Sequence, residues 1–202
     1  LTLKGEIGYP SVLTTPTWGF YDVAFKGKNF KLPQDYGSYV MENILFKISF
    51  PAEFHSQTAA EAAVKLHPIV KDRLSDIKSI KIKTHESAIR IISKVGPLNN
   101  PADRDHCLQY MIAVPLAFGN LTAEHYEDEF HHSNPIIDAL REKMTVEEEP
   151  RYTAEYLESE KRSIANSLQI FFNDGSVTDE IEINYPVGHR RRREEGIPLL
   201  EE

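Results

Sequence analysis

Cysteine is almost missing from this sequence: Cys107 is the only one in 202 residues. A lone thiol cannot close an internal disulfide, supply the several thiolates of an iron-sulfur cluster, or complete the four-cysteine set of a zinc ribbon. Long apolar runs are missing as well. The longest, Tyr110 to Phe118, contains Pro115 and is well short of the roughly 20 residues that a membrane-spanning helix requires. Positive charge is in deficit, with 23 Lys+Arg against 31 Asp+Glu for a net charge of −8. Such a chain is repelled by phosphate backbones and anionic lipid, so neither nucleic acid nor membrane is expected as a partner. Position 1 is Leu, with no basic n-region or apolar h-region behind it, so the chain reads as a piece of something longer. The single cysteine suits a reducing compartment, and the expected location is cytoplasmic.

What is present is enough for one or two domains, with 41% hydrophobic residues to fill a core. Residues 1–40 crowd glycines and prolines among aromatic side chains, which cannot sustain a long helix yet need a surface to bury against. The spacing predicts irregular chain packed on a partner domain. After Pro51, the Ala-rich run from Phe54 predicts a helix that closes before Pro68. Ile80 to His85 alternates like a half-buried strand, and a short helix over 86–93 should follow. The stretch GPLNNPADRD reads as loop. HCLQYMIAVPLAF, apolar on most sides, reads as a buried helix distorted at Pro115. Thr122 can cap TAEHYEDEF, and Asn134 with Pro135 suits an N-cap followed by N1 for IIDALREK. Alternation at Leu168, Ile170 and Phe172, then Asn173-Asp174-Gly175, then alternation at Ile181, Ile183 and Tyr185, predicts an antiparallel hairpin. The fold class is therefore α+β, helices and hairpin sharing one core.

Three clusters could carry chemistry. KISFPAEFHSQTA gathers Lys47, Glu53, His55 and Gln57 around a helix start, where free N–H groups favour a carboxylate. The plainer alternative is a capping or packing histidine. NNPADRDHCLQY places Arg104 and His106 beside a buried helix, with Tyr110 one turn on. A guanidinium can grip a carboxylate bidentately and a histidine can carry a proton. Equally, Asp105 can be a simple N-cap and Tyr110 a core ring whose hydroxyl finds the backbone. EHYEDEFHH suggests metal, but the i, i+4 His pair of a zinc helix is absent, and a solvated acidic helix is the better reading. No metal and no cofactor is expected. The run HRRRREEG is better suited to binding carboxylates between elements than to nucleic acid.

Taken together, GYPSVLTTPTWGFYDVAFKG, YGSYVMENILFKISFPAEFHSQTAAEAA, NNPADRDHCLQYMIAVPLAFG, EKRSIAN and YPVGHRRRREEGIPLL closely resemble the 2-methylcitrate dehydratase (MmgE/PrpD) family over nearly the whole chain. The resemblance implies a larger all-helical domain, built from the N-terminal half and the C-terminal tail, with a smaller α+β lid inserted between. On that plan residues 1–46 leave the helical domain, 47–184 form the α+β lid, and 185–202 return. It also implies a homodimer and removal of water from 2-methylcitrate, a tricarboxylate, to give 2-methyl-aconitate. By position, FPAEFHSQTA matches the pocket-lining start of the lid, and ADRDHCLQY the place of a pocket Tyr.

Such an elimination needs a base for a weakly acidic C–H, donors for the carboxylate that accumulates charge, and an acid for the departing hydroxide. With one cysteine in this chain, the acid would be a side chain unless other thiols are supplied from outside it. His55 or His106 is the expected acid/base, Tyr110 the proton or carboxylate donor, and Arg104 and Lys47 the carboxylate clamps, with Glu53 and Gln57 lining the pocket. Because relatives draw several pocket residues from the helical domain, this chain alone is expected to be inactive. The alternatives are a sister lyase, isomerase, epimerase or decarboxylase on the same scaffold, or a non-catalytic interaction module.

Overall fold

A computed structural model describes residues 2–5, 8, 10–28, 37, 44 and 47–201. The chain divides into two compact units, Leu1–Glu42 and Asn43–Glu202. Its described residues in the first include one short α-helix, α1 (Phe20–Phe25), stopped where Lys26 and then Gly27 turn left-handed at φ +54° and +77°. Gly19 precedes it, and a Cβ there would lie 2.4 Å from the Thr15 carbonyl. Among the described residues of this unit there is no long helix, in line with the density of breakers. Most of residues 29–46 lie outside the described residues.

The second unit is α+β. Its sheet has the order β2-β1-β3-β4, with β1 at Ile77–Thr84, β2 at Met144–Glu148, β3 at Asn166–Phe172 and β4 at Ile181–Ile183. β1 runs parallel to β2 and antiparallel to β3, so the sheet is mixed. The expected hairpin is β3–β4, with Asn166 opposite Ile183 and Gly175 at φ +87° in the turn. A register shift between Ile77 and Ser79 brings both Ile77 and Ile80 inward, in spite of their odd spacing, and both are fully buried.

Two helices carry the core. In α2 (Gln57–Val70) Ala59, Ala60, Ala62 and Ala63 are fully buried, and their small side chains let neighbouring elements approach closely. Between them α3 (Glu86–Ile92) and α4 (Pro101–Asp105) lead into α5 (Leu108–Phe118), which is buried all round from Leu108 to Leu116. α5 ends at Gly119, φ +79°, where a Cβ would meet the His67 ring at 2.8 Å. His67 Nδ1 in turn lies 2.9 Å from the Leu116 carbonyl.

Five features depart from expectation. α2 does not close before Pro68 but runs three residues further, because buried Val70 holds the last turn in the core. It also opens late: Phe54–Ser56 is a 3-10 turn capped by Glu53, and Gln57 Nε2 ties down the loop ahead of it by donating to the carbonyls of Phe50 and Ala52 at 2.8 and 2.9 Å. The loop GPLNNPADRD contains α4, started by Asn100 Oδ1, which accepts the Asp103 N–H at 2.9 Å. TAEHYEDEF breaks into a 3-10 turn, Ala123–Tyr126, and α6 (Asp128–Ser133). Asn134 then closes α6, donating to the Phe130 carbonyl at 2.7 Å, rather than capping α7 (Ile136–Arg141) with its side chain. Beyond β2, α8 (Pro150–Leu157) begins at Pro150 with the Glu149 carboxylate as its cap, and α9 (Arg193–Glu201) is the last described element.

Candidate active site

The first cluster forms where a 3-10 turn, Phe54–Ser56, leads into α2. Glu53 caps that turn: one carboxylate oxygen accepts the His55 backbone N–H at 2.8 Å, and the other lies 2.8 Å from His55 Nδ1. Burial raises the affinity of Glu53 for its proton, but the hydrogen bonds and charge of His55 outweigh this and leave its carboxyl below the usual range. Glu53 is therefore ionised near neutrality and can only accept, which puts the ring proton of neutral His55 on Nδ1. Nε2 is left as the basic nitrogen. It faces the Tyr156 hydroxyl, from α8, at 3.3 Å. The side chain of His55 is 13% exposed, enclosed but reachable.

Sequence reasoning missed most of the surroundings. His85, at the joint of β1 and α3, is fully buried and stacks on Tyr156 at 4.4 Å and 14°, with the His55 ring 5.1 Å away. Burial, and then the charge of His55, hold His85 down to about 4. Asn166, at the start of β3, donates to the His55 carbonyl at 2.9 Å and to Thr58 Oγ1 at 2.7 Å. The β1–β3 register pairs Lys83 with Ser167, so Thr84 and Asn166 end side by side. Buried polar atoms without a protein partner gather here: Thr84 Oγ1, His85 Nε2, Ser163 Oγ, Asn166 Oδ1 and Asn184 Oδ1. Unfinished polar groups at such density call for water or ligand.

The second cluster is organised differently. Arg104 on α4 is fully buried, and all three guanidinium nitrogens are engaged. Nε donates to the Tyr126 carbonyl at 2.7 Å, Nη1 to His131 Nδ1 at 3.3 Å, and Nη2 to the Asp128 carboxylate. His131 thus accepts at Nδ1 and donates from Nε2 to Asp138 at 3.1 Å. Asp138 also takes Arg141. Tyr110 is fully buried, packed on Tyr126 and His131. Its hydroxyl donates to the His125 carbonyl at 2.5 Å, and burial pushes its ionisation far up. His131 is the correction to the solvated acidic helix: one side of α6 is built into the interior.

The remaining candidates are scattered. His106 leans on the neighbouring Asp105 with its side chain 51% exposed, and it shares no contact with the His55 cluster. Lys47 is exposed ahead of the Phe50–Glu53 loop. Gln57 is buried and occupied by two backbone carbonyls. The arginine-rich run meets a carboxylate, with Arg192 on Glu61 of α2 at 2.7 and 3.1 Å. A cavity of about 440 Å³ lies beside the Arg104 network, lined by Lys94, Gln109, Asp138, Arg141 and Glu142 among others. Its charges cancel, so nothing in it selects a polyanion. Among the described residues, no group of three or more His, Cys, Asp or Glu could hold a metal ion. No described helix is long and apolar enough to cross a membrane.

An α+β unit with an enclosed carboxylate–imidazole pair beside unfinished polar groups has the parts of an acid–base enzyme domain. Residues 50–202 match the MmgE/PrpD C-terminal domain, and the chain belongs to that family. It is 61% identical over 99% of its length to the mitochondrial 2-methylcitrate dehydratase of Yarrowia lipolytica, covering 39% of that protein. Against the 2-methylcitrate dehydratase of Escherichia coli K12 it is 58% identical over 97% of its length, covering 41%. A probable 2-methylcitrate dehydratase of Saccharomyces cerevisiae is 62% identical over 95% of this chain, with 38% of the relative covered. The chain thus spans about two fifths of the length of these relatives.

Proposed function

We propose that this chain is the α+β part of a hydro-lyase that removes water from 2-methylcitrate to give 2-methyl-aconitate, and that His55 carries the proton. The observation behind this is the Glu53–His55 pair, in a chain about three fifths identical to proteins named for that reaction. Glu53 fixes the tautomer, so Nε2 can take a proton from carbon or, once charged, return it to the departing hydroxide. Lys47, exposed just ahead of the loop, is the carboxylate clamp, and Gln57 holds the loop's shape through its two backbone bonds. Arg104, Tyr110 and His106 lie outside this centre in our reading: the first two are held by internal partners, and the third is in solvent.

On this reading the protein is a homodimer whose helical domain completes the pocket, with residues 1–46 and 185–202 as the crossings and 47–184 as the lid. A reducing aqueous compartment suits the buried free Cys107. The cytoplasm meets that description, and so does the compartment named for the Yarrowia relative. The test is turnover of 2-methylcitrate by the full-length protein, followed through the absorbance of the conjugated product, with citrate assayed alongside. Turnover of 2-methylcitrate is the expected result. Turnover of citrate alone would point to a sister lyase, and no turnover of either would remove the hydro-lyase reading.

A further inference from the structure

We propose that Tyr156 and His85 are positioning residues for His55, holding its ring in one plane and its Nε2 at one point while the proton comes and goes. The inference rests on the reading that His55 moves the proton, and it assigns work to two side chains far from it in sequence. Tyr156 is 101 residues from His55.

The geometry carries it in three steps. His85 Nδ1 accepts the Ala88 N–H at 3.4 Å as the cap of α3, so its ring proton sits on Nε2 and the ring is neutral. Full burial keeps it so, with protonation held down to about 4. A neutral, immobile imidazole is therefore stacked 4.4 Å from Tyr156 and fixes the plane of the phenol. The fixed phenol in turn sets its hydroxyl 3.3 Å from His55 Nε2.

A hydroxyl suits that place because it can reverse roles. It donates to Nε2 when His55 is neutral and accepts from it when His55 is charged, so the ring need not turn between the two halves of an elimination. The titratable groups facing His55 are Glu53 from the preceding loop, His85 from the β1–α3 joint and Tyr156 from α8. Glu53 brings one negative charge, enough to balance one imidazolium. A second one 5.1 Å away would be left unbalanced, and the capped, buried state of His85 prevents it.

The experiment is nitrogen NMR on the full-length protein carrying 15N-histidine, together with steady-state kinetics. In the parent protein the neutral ring of His55 is expected as the Nδ1–H form, with Nε2 shifted upfield by the phenol. Tyr156→Phe removes one oxygen, so the fold is retained. It should move the Nε2 resonance downfield, toward an unbonded imine, with Nδ1 still protonated. kcat should fall by about 100-fold while KM stays within about twofold. His85→Asn keeps an acceptor for the Ala88 N–H but removes the stack, and should move Nε2 in the same direction by a smaller amount. An Nε2 resonance unchanged in Tyr156→Phe overturns the proposal, as does a fall in affinity with kcat intact. If the parent protein shows no turnover, the hydro-lyase reading fails while the resonance still decides the positioning.

Discussion

Around Arg104 the charged donors and acceptors meet one another: three guanidinium nitrogens, both ring nitrogens of His131 and the Tyr110 hydroxyl all have protein partners. Around His55, a single carboxylate anchors one imidazole, and five buried polar atoms are left without a protein partner. The Arg104 side has two such atoms, Tyr126 Oη and Arg141 Nε. Both regions contain buried histidine, a carboxylate and tyrosine, so residue type does not tell them apart. What separates them is how far the hydrogen bonding is closed internally. A closed network fixes the geometry of α4, α6 and α7, whereas an open one still has capacity for a ligand.

Breaking the closed side should produce the largest loss of stability. Arg104→Met leaves the Tyr126 carbonyl and His131 Nδ1 unpaired in the interior. Urea unfolding should show a loss of about 2 to 5 kcal/mol. A loss within error would mean that solvent replaces the guanidinium, and the contrast between the two regions would disappear.

Acid sharpens the comparison from the other side. His85 is held neutral in the folded state, down to about 4 from an ordinary 6.5, so below 6.5 the unfolded chain binds the proton first. Its contribution is intact above pH 6.5 and is lost as pH falls to about 4, on the order of 3 kcal/mol in all. Unfolding free energies measured between pH 7 and 4 should fall less steeply in His85→Asn than in the parent protein. Parallel slopes would show that His85 titrates freely when folded.

Two smaller effects follow. Tyr110→Phe removes one hydrogen bond to the His125 carbonyl and should cost about 1 kcal/mol in thermal unfolding, with kcat of the full-length enzyme within about twofold of the parent. His106→Asn, at a side chain half in solvent, should leave stability within about 0.5 kcal/mol and kcat unchanged. A large kcat defect in His106→Asn would bring the second cluster back into the chemistry.

The legible parts of this molecule are those written in local periodicity. Ile80, Ile82 and Thr84 alternate in β1, Leu168, Ile170 and Phe172 alternate in β3, and the Ala-rich run of α2 is fully buried on one face. β2 is not legible in the sequence because MTVEE is short and mostly exposed, and its order comes from pairing alongside β1. Pro68 is a local stop signal, and tertiary burial of Val70 overrides it. The candidate site was half legible. Glu53 and His55 are two residues apart, and their contact follows from a capping turn. His85 and Tyr156 reach His55 only through the joining of β1 and α8, and no spacing encodes that. The same holds for His131 and Asp138, which sit on helices separated by the break at Asn134. His131 is the link between Arg104 and Asp138, bonded to Arg104 through Nδ1 and to Asp138 through Nε2.

The central claim is that His55 moves the proton and the Arg104 side only supports it, and the most direct test is kcat of His55→Asn in the full-length protein with 2-methylcitrate. The expected result is a fall of about two to four orders of magnitude, with the unfolding free energy within about 1 kcal/mol of the parent. A His55→Asn enzyme that turns over at the parental rate, or that loses activity only in proportion to the fraction unfolded, would contradict it.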